Sequence, residues 1–155
     1  MLTACALAGC AVPRPQVSAR EARVAETGDT TARVEIVLDL TNTGGTDVEL
    51  VTYDYILSLS DGSSYGGRWA ALRALPPRQT VQAAIPAVVP VASAREGVRW
   101  TLRGTVSYRD PQSIARILYE AGILKTETEM DGSGTIGAKS AAAMQPAPTG
   151  PGTGS

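Results

Sequence analysis

The feature that most constrains this chain is the strict alternation between Val98 and Tyr108. Val98, Trp100, Leu102, Gly104, Val106 and Tyr108 interleave with Arg99, Thr101, Arg103, Thr105 and Ser107. Successive side chains of an extended strand point to opposite faces, so this pattern predicts a strand with one buried and one wet face. Ala32 to Asn42 repeats it, with Val34, Ile36, Leu38 and Leu40 against Arg33, Glu35, Asp39 and Thr41. These two stretches supply the expected core: Trp100 at its centre, with Leu102, Val106, Val34, Ile36 and Leu38.

The other segments read more weakly. Gln16 to Glu26 and Val48 to Ser60 are extended, separated from their neighbours by the turn residues Asn42-Thr43-Gly44-Gly45 and Asp61-Gly62. Ser63 to Leu75 stays open between a strand and a short helical turn, because Gly66-Gly67 interrupts it and Pro76-Pro77 ends it. Gln79 to Ile85 reads as a strand, followed by a breaker region from Pro86 to Pro90. Then the period changes. Asp110-Pro111 offers an N-cap and an N1 proline, Ile114, Ile117, Leu118 and Ala121 fall at helical spacing, and Gly122 suits the C′ position. One short amphipathic helix is expected there, with Ile117 joining the core. A last strand runs from Lys125 to about Ile136. Many strands with turn chemistry between them and a single helix predict an all-β antiparallel sandwich, since a parallel α/β sheet needs a helix between most strands.

The N-terminus carries a different signal. Leu7-Ala8-Gly9-Cys10 resembles a bacterial lipobox, with small residues before a cysteine. In the lipoproteins it resembles, the thiol takes a diacylglycerol and cleavage makes the cysteine the first mature residue; Cys10 is the expected lipidation site. Cys5, after Leu2-Thr3-Ala4, fits more loosely, with almost no apolar segment before it. Met1 to Gly9 lacks the basic n-region and has only a stub of the usual apolar stretch of about 7–15 residues, so the start is expected to be truncated. The apolar run to Val12 is shorter than the ~20 residues a spanning helix needs. The expected organisation is a truncated signal peptide (1–9), a lipid anchor and Pro-rich tether (10–16), the β-sandwich (17–137) and a disordered Ala/Pro/Gly-rich tail (138–155). This places the domain on the bacterial cell envelope, lipid-anchored at the outer membrane and facing the periplasm.

Composition narrows the chemistry. A net charge of −1 disfavours nucleic acid, which needs a basic surface. The chain has no histidine, and its two cysteines lie in the first ten residues, so Ser-His-Asp, Cys-His and His-containing metal sites are absent. Gly62-Ser63-Ser64-Tyr65-Gly66-Gly67 lacks the lysine and helix start of a phosphate loop and reads as a hairpin loop. Glu127, Glu129 and Asp131 share one strand face; they offer oxygens to calcium, or form a solvated face opposite Arg99 and Arg103. Tyr53, Tyr55 and Tyr65 with Trp69 are either a recognition surface or ordinary strand residues. Arg68, Arg73 and Arg78 around Trp69 and Leu72 outline a basic, amphipathic patch suited to anionic lipid. No catalytic, cofactor-binding or metal-binding residue is assigned, and no cofactor is expected.

From about Val17 to Ile136 the chain resembles the late-embryogenesis-abundant (LEA) type 2 domain, the water stress and hypersensitive response (WHy) domain, in its bacterial lipoprotein form. The resemblance rests on the strand Val34 to Asn42 ending in asparagine, on the Leu-Pro-Pro break of Leu75 to Val81, and on Trp100-Thr101-Leu102-Arg103-Gly104. Met130-Asp131-Gly132-Ser133-Gly134-Thr135-Ile136 is similar to the closing apolar-x3-Gly-x-apolar pattern. The chain departs from it at Asn42-Thr43-Gly44, where the family often has Asn-Pro-Asn, and at Met130, where an aromatic is commoner. The resemblance implies a fibronectin-like sandwich, no enzymatic activity, and a non-catalytic role in desiccation or envelope stress tolerance. The alternative is a structural or assembly lipoprotein docking an envelope or secretion complex. The expected partners are the membrane, through the N-terminal lipid, and an envelope protein whose identity the sequence does not name.

Overall fold

The computed structural model of the chain describes residues 14–109, 117, 118, 120–122 and 126–137. Among them it is all-β: β1 (Gln16–Thr27), β2 (Thr31–Thr41), β3 (Val48–Leu59), β4 (Ser64–Leu75), β5 (Thr80–Pro90), β6 (Arg99–Arg109) and β7 (Thr126–Gly137). The strands form one sheet in the order β4-β3-β6-β7-β1-β2-β5. Every pairing is antiparallel except β1 with β7, which is parallel. The sheet curls on itself in a barrel-like way, so that its two edge strands, β4 and β5, meet across a seam.

The core forms as the alternation requires. Val34, Ile36, Leu38, Leu40, Leu102 and Val106 are fully buried, and Trp100 is 2% exposed. Ile117 does not join them: it is 60% exposed, a correction to the expected core. Among the described residues the buried core is built from strand side chains. Of the expected helix, Ile117, Leu118 and Glu120 are helical, the Ala121 N–H donates to the Ile117 carbonyl at 3.0 Å, and Gly122 has φ +71°. The remainder of the helix, Cys10, and the tail from Ala138 lie outside the described residues.

Two local readings change. Ser64 to Leu75 is a strand, paired along its length with β3, and the hairpin turn is confined to Ser60–Ser63. The supposed breaker Pro86 to Pro90 is the second half of β5, which pairs with β2 up to Thr31↔Pro90. Proline is tolerated there because β5 is an edge strand. The carbonyls of Gln82 and Pro86 accept bonds from the Arg73 guanidinium (2.5 Å) and the Tyr55 hydroxyl, both from the far side of the seam. In an antiparallel ladder a residue turns its N–H and C=O to the same side. Pro86 and Pro90, in phase with Gln82, therefore lose N–H groups only at the free edge, where no ladder bond is broken.

Small residues allow the curl. A side chain at Gly67 would run into the Tyr55 ring, which passes beneath it to reach β5. One at Gly104 would meet the Asp54 carbonyl oxygen and come within 2.8 Å of the Tyr55 Cα. The glycine closing Trp100-x-Leu-x-Gly thus lets β6 press onto β3.

Polar clamps hold the two ends. At one, the buried Asn42 donates from Nδ2 to the Thr46 and Leu75 carbonyls (2.8 and 3.0 Å) and accepts from the Gly44 N–H (2.9 Å). At the other, Asp61 accepts from the Ser63 N–H (2.9 Å), the Ser63 hydroxyl and the Ser93 hydroxyl (2.7 Å), joining the β3–β4 turn to the β5–β6 connection. These bonds, the Ser63 hydroxyl first, lower the Asp61 carboxyl from 3.8 to about 2.

Two outcomes are expected. Trp100→Ala empties the largest buried side chain and should cost roughly 3–5 kcal/mol in denaturant unfolding, whereas Trp100→Phe should cost less, because the indole Nε1 has no hydrogen-bond partner among the described residues. For Asp61, the folded-state pKa lies below the unfolded one, so its contribution is present above pH 3.8 and lost as pH falls through about 2. The Tm difference between wild type and Asp61→Ala, followed by circular dichroism, should therefore be constant near neutrality and shrink across that acid window.

Candidate functional site

A broad concavity of about 1060 Å³ lies on the outer face of β4-β3-β6-β7. Its floor includes Ile56, 56% exposed, and Gly66, which supplies no side chain to cover it. Arg68 and Asp54 cross it as an ion pair at 2.6 Å, which raises the Arg68 pKa through the hydrogen bond to Asp54. The register sets Arg103 opposite Asp131, Thr105 opposite Glu129 and Ser107 opposite Glu127.

The acidic row is therefore a solvated strand face. Glu127, Glu129 and Asp131 are exposed, and among the described residues no group of acidic side chains is placed to hold a metal ion. The expected pairing with arginines is not made either. Arg99 stands opposite Thr135, and no ion pair within 4.0 Å joins Arg103 to the row among the described residues.

The aromatic group divides. Tyr53 and Tyr55 are buried core residues, and burial pushes both phenols up. Tyr65 is half-buried. Trp69 alone stays 51% exposed, at the seam. The three arginines divide too: Arg68 is spent on Asp54, Arg73 caps the Gln82 carbonyl across the seam, and Arg78 occupies the β4–β5 turn at φ +55°.

The seam itself was not foreseen. Trp69 of β4 faces Ala84, Pro86 and Val88 of β5 across a slot of about 320 Å³, with Arg33 and Glu35 at its margin. Val88 is 62% exposed, and Leu72 is 87% exposed at φ +42°, beside the β-bulge where β4 slips against β3. A leucine is rarely found in left-handed backbone, because its Cβ crowds the carbonyl. One signal for the seam does stand in the sequence: no Asp or Glu occurs between Gly62 and Arg95, a run that holds Arg68, Arg73, Arg78 and Arg95.

A general acid needs a carboxyl with a raised pKa in a shielded cleft. Asp61 shows the opposite shift, and its partners are turn residues that it holds in place. At the seam the surface presents exposed Leu72, Trp69 and Val88 beside Arg73 and Arg78.

No protein-family profile and no curated protein matches the sequence. Solved structures do. A candidate LEA protein determined in solution is 12% identical, with a TM-score of 0.59 over 81% of this chain and 71% of that one. The solution structure of an Arabidopsis thaliana protein is 12% identical, with a TM-score of 0.57 over 86% and 89%. The crystal structure of a candidate ApaA protein from Bordetella pertussis is 12% identical, with a TM-score of 0.51 over 83% and 98%. At this identity the likeness is one of architecture, and the chain has the all-β fold seen in the LEA-type structure.

Proposed function

We propose that this chain is a membrane-anchored, non-catalytic lipoprotein whose LEA type 2-like domain supports desiccation or envelope stress tolerance. The observation that carries the reading is the LEA-like fold, spanning 81% of the chain with a TM-score of 0.59. It is joined to a chain that has no histidine and no cysteine after Cys10. Leu7-Ala8-Gly9-Cys10 supplies the anchor, and a short proline-containing tether from Ala11 leads into the domain, where the buried Pro15 carbonyl accepts from the Thr128 hydroxyl. Cys10 then carries the acyl chains at the bacterial outer membrane, facing the periplasm. The domain acts there through weak contacts with lipid or envelope proteins, without turnover.

The anchor is tested by fractionation. Cys10→Ser should move the protein from membrane to soluble fraction while leaving its thermal melt unchanged, since each acyl CH₂ contributes about 0.8 kcal/mol on insertion. Mass spectrometry should find the lipid on Cys10, and an unmodified Cys10 in the membrane fraction would sink the assignment. The stress role is tested in a deletion strain, whose survival of drying or osmotic shock should fall and return with the wild-type gene. Glu127→Ala or Arg103→Ala should still rescue. Complete loss of rescue by either, in a folded protein, would point to a discrete site.

A further inference from the structure

We propose that the seam face, formed by β4, β5 and the turn between them, is a contact surface for anionic phospholipid, seating the domain directly on the membrane. The inference rests on the membrane-anchored reading and adds which face of the domain meets the bilayer.

The first support is charge. β4, β5 and the turn between them are free of carboxylates; with Arg68 paired to Asp54, Arg73 and Arg78 are their net positive charges. The carboxylates on the strands beside them already have partners: Asp54 is held by Arg68, Asp39 lies near Arg20 and accepts from Gln82, and Glu35 pairs with Arg23 and Arg33. The opposite end of the barrel exposes Asp29, Asp61 and Glu96 with Arg95 and Arg99. The carboxylate-free surface is thus the strip of β4, β5 and their turn; at the turn end exposed Asp47 and Glu127 stand on the β2–β3 turn and β7, off that strip.

The second support is apolar exposure along the same two strands, with Leu72 toward the turn and Trp69 and Val88 farther from it. Leu72, Val88 and Trp69 are 87%, 62% and 51% exposed, and all belong to β4 or β5. Basic residues interleaved with exposed leucine and tryptophan suit the interface between headgroups and acyl chains, where an apolar side chain inserts and arginine stays with phosphate. A second copy of the chain would have to pair at these edges. On β5, however, the Gln82 and Pro86 carbonyls are capped by Arg73 and Tyr55, and Pro86 and Pro90 lack N–H groups, so the edge is poorly suited to strand addition.

The third support is the route of the chain. Gln16 is in register with Thr41, and Thr41 with Thr80, so the N-terminal segment enters the sheet at the end where β5 begins. The Arg78 N–H donates to the Gly44 carbonyl at that same end. Thirteen residues, Cys10 among them, precede the described part of the chain. An anchor on Cys10 therefore holds this end of the barrel within a few residues' reach of the bilayer.

The test uses the full chain with both cysteines changed to serine, so that no lipid anchor contributes. It is floated with vesicles of phosphatidylcholine alone or with about a third phosphatidylglycerol. Binding is expected only to the anionic vesicles and should weaken steeply with salt. Trp69 fluorescence should shift to the blue, while the buried Trp100 contributes a constant background. Leu72→Asn and Arg78→Asn place a residue tolerant of positive φ at each site, so both should fold. Arg78→Asn should weaken binding about fivefold, and Leu72→Asn about tenfold. Arg103→Gln, on the outer face of β6, should leave it unchanged.

No flotation with anionic vesicles, equal binding to both lipids, equal loss with Arg103→Gln, or self-association through the seam would each overturn the proposal. None of these results bears on whether Cys10 is acylated. Conversely, an unmodified Cys10 in cells whose protein still floats with anionic vesicles would remove the anchor and leave this face standing.

Discussion

The contact on which the rest of the fold depends is the buried carboxamide of Asn42. One side chain satisfies the Thr46 carbonyl, the Gly44 N–H and the Leu75 carbonyl, the last at the end of β4. The Asn42 N–H also donates to the Gln79 carbonyl, and the Arg78 N–H to that of Gly44. The β2–β3 turn is thereby tied to the β4–β5 connection, which brings the two edges of the sheet together at one end. Carboxamide geometry matters here, for only asparagine offers two donors and an acceptor on so short a stem. A carboxylate would present two acceptors to two carbonyls.

Once the edges meet, the sheet closes without a backbone ladder. Side chains do the closing: Tyr55 to Pro86, Arg73 to Gln82, and Trp69 beside Ala84, Pro86 and Val88. The interior is then a single core around Trp100, sealed on the β3–β6 side by the close approach at Gly104. Such a seam has two effects. It buries the inner faces of seven strands, and it leaves backbone groups of β4 and β5 to be met by side chains such as Arg73 and Tyr55.

Fold likeness at 12% identity transmits architecture and not a site, so this chain's own surface has to carry the argument. That surface is uneven: a solvated acidic row on β7, and a carboxylate-free side built from β4 and β5.

Much of this was legible in local pattern. Strands β2 and β6 follow from alternation, and their inward residues are the core, because a period of two admits one buried face. The lack of histidine and of a cysteine in the folded part limits the chemistry through composition alone. Tertiary context decided the remainder. Ser64 to Leu75 is a strand because β3 offers it a ladder; alone, Gly66-Gly67 argues against one. Pro86 and Pro90 lie within β5 because that strand is an edge, and edge position is a property of the whole sheet. Ile117 has helical spacing and stays exposed, outside a core built from strand side chains. The seam joins Trp69 to Val88 and Arg73 to Gln82 across strands that pair only through the rest of the sheet, and no local period encodes such a meeting. Sequence alone determines which residues are buried within a strand; which strands become edges, and so which residues reach a partner, depends on how the entire sheet curls.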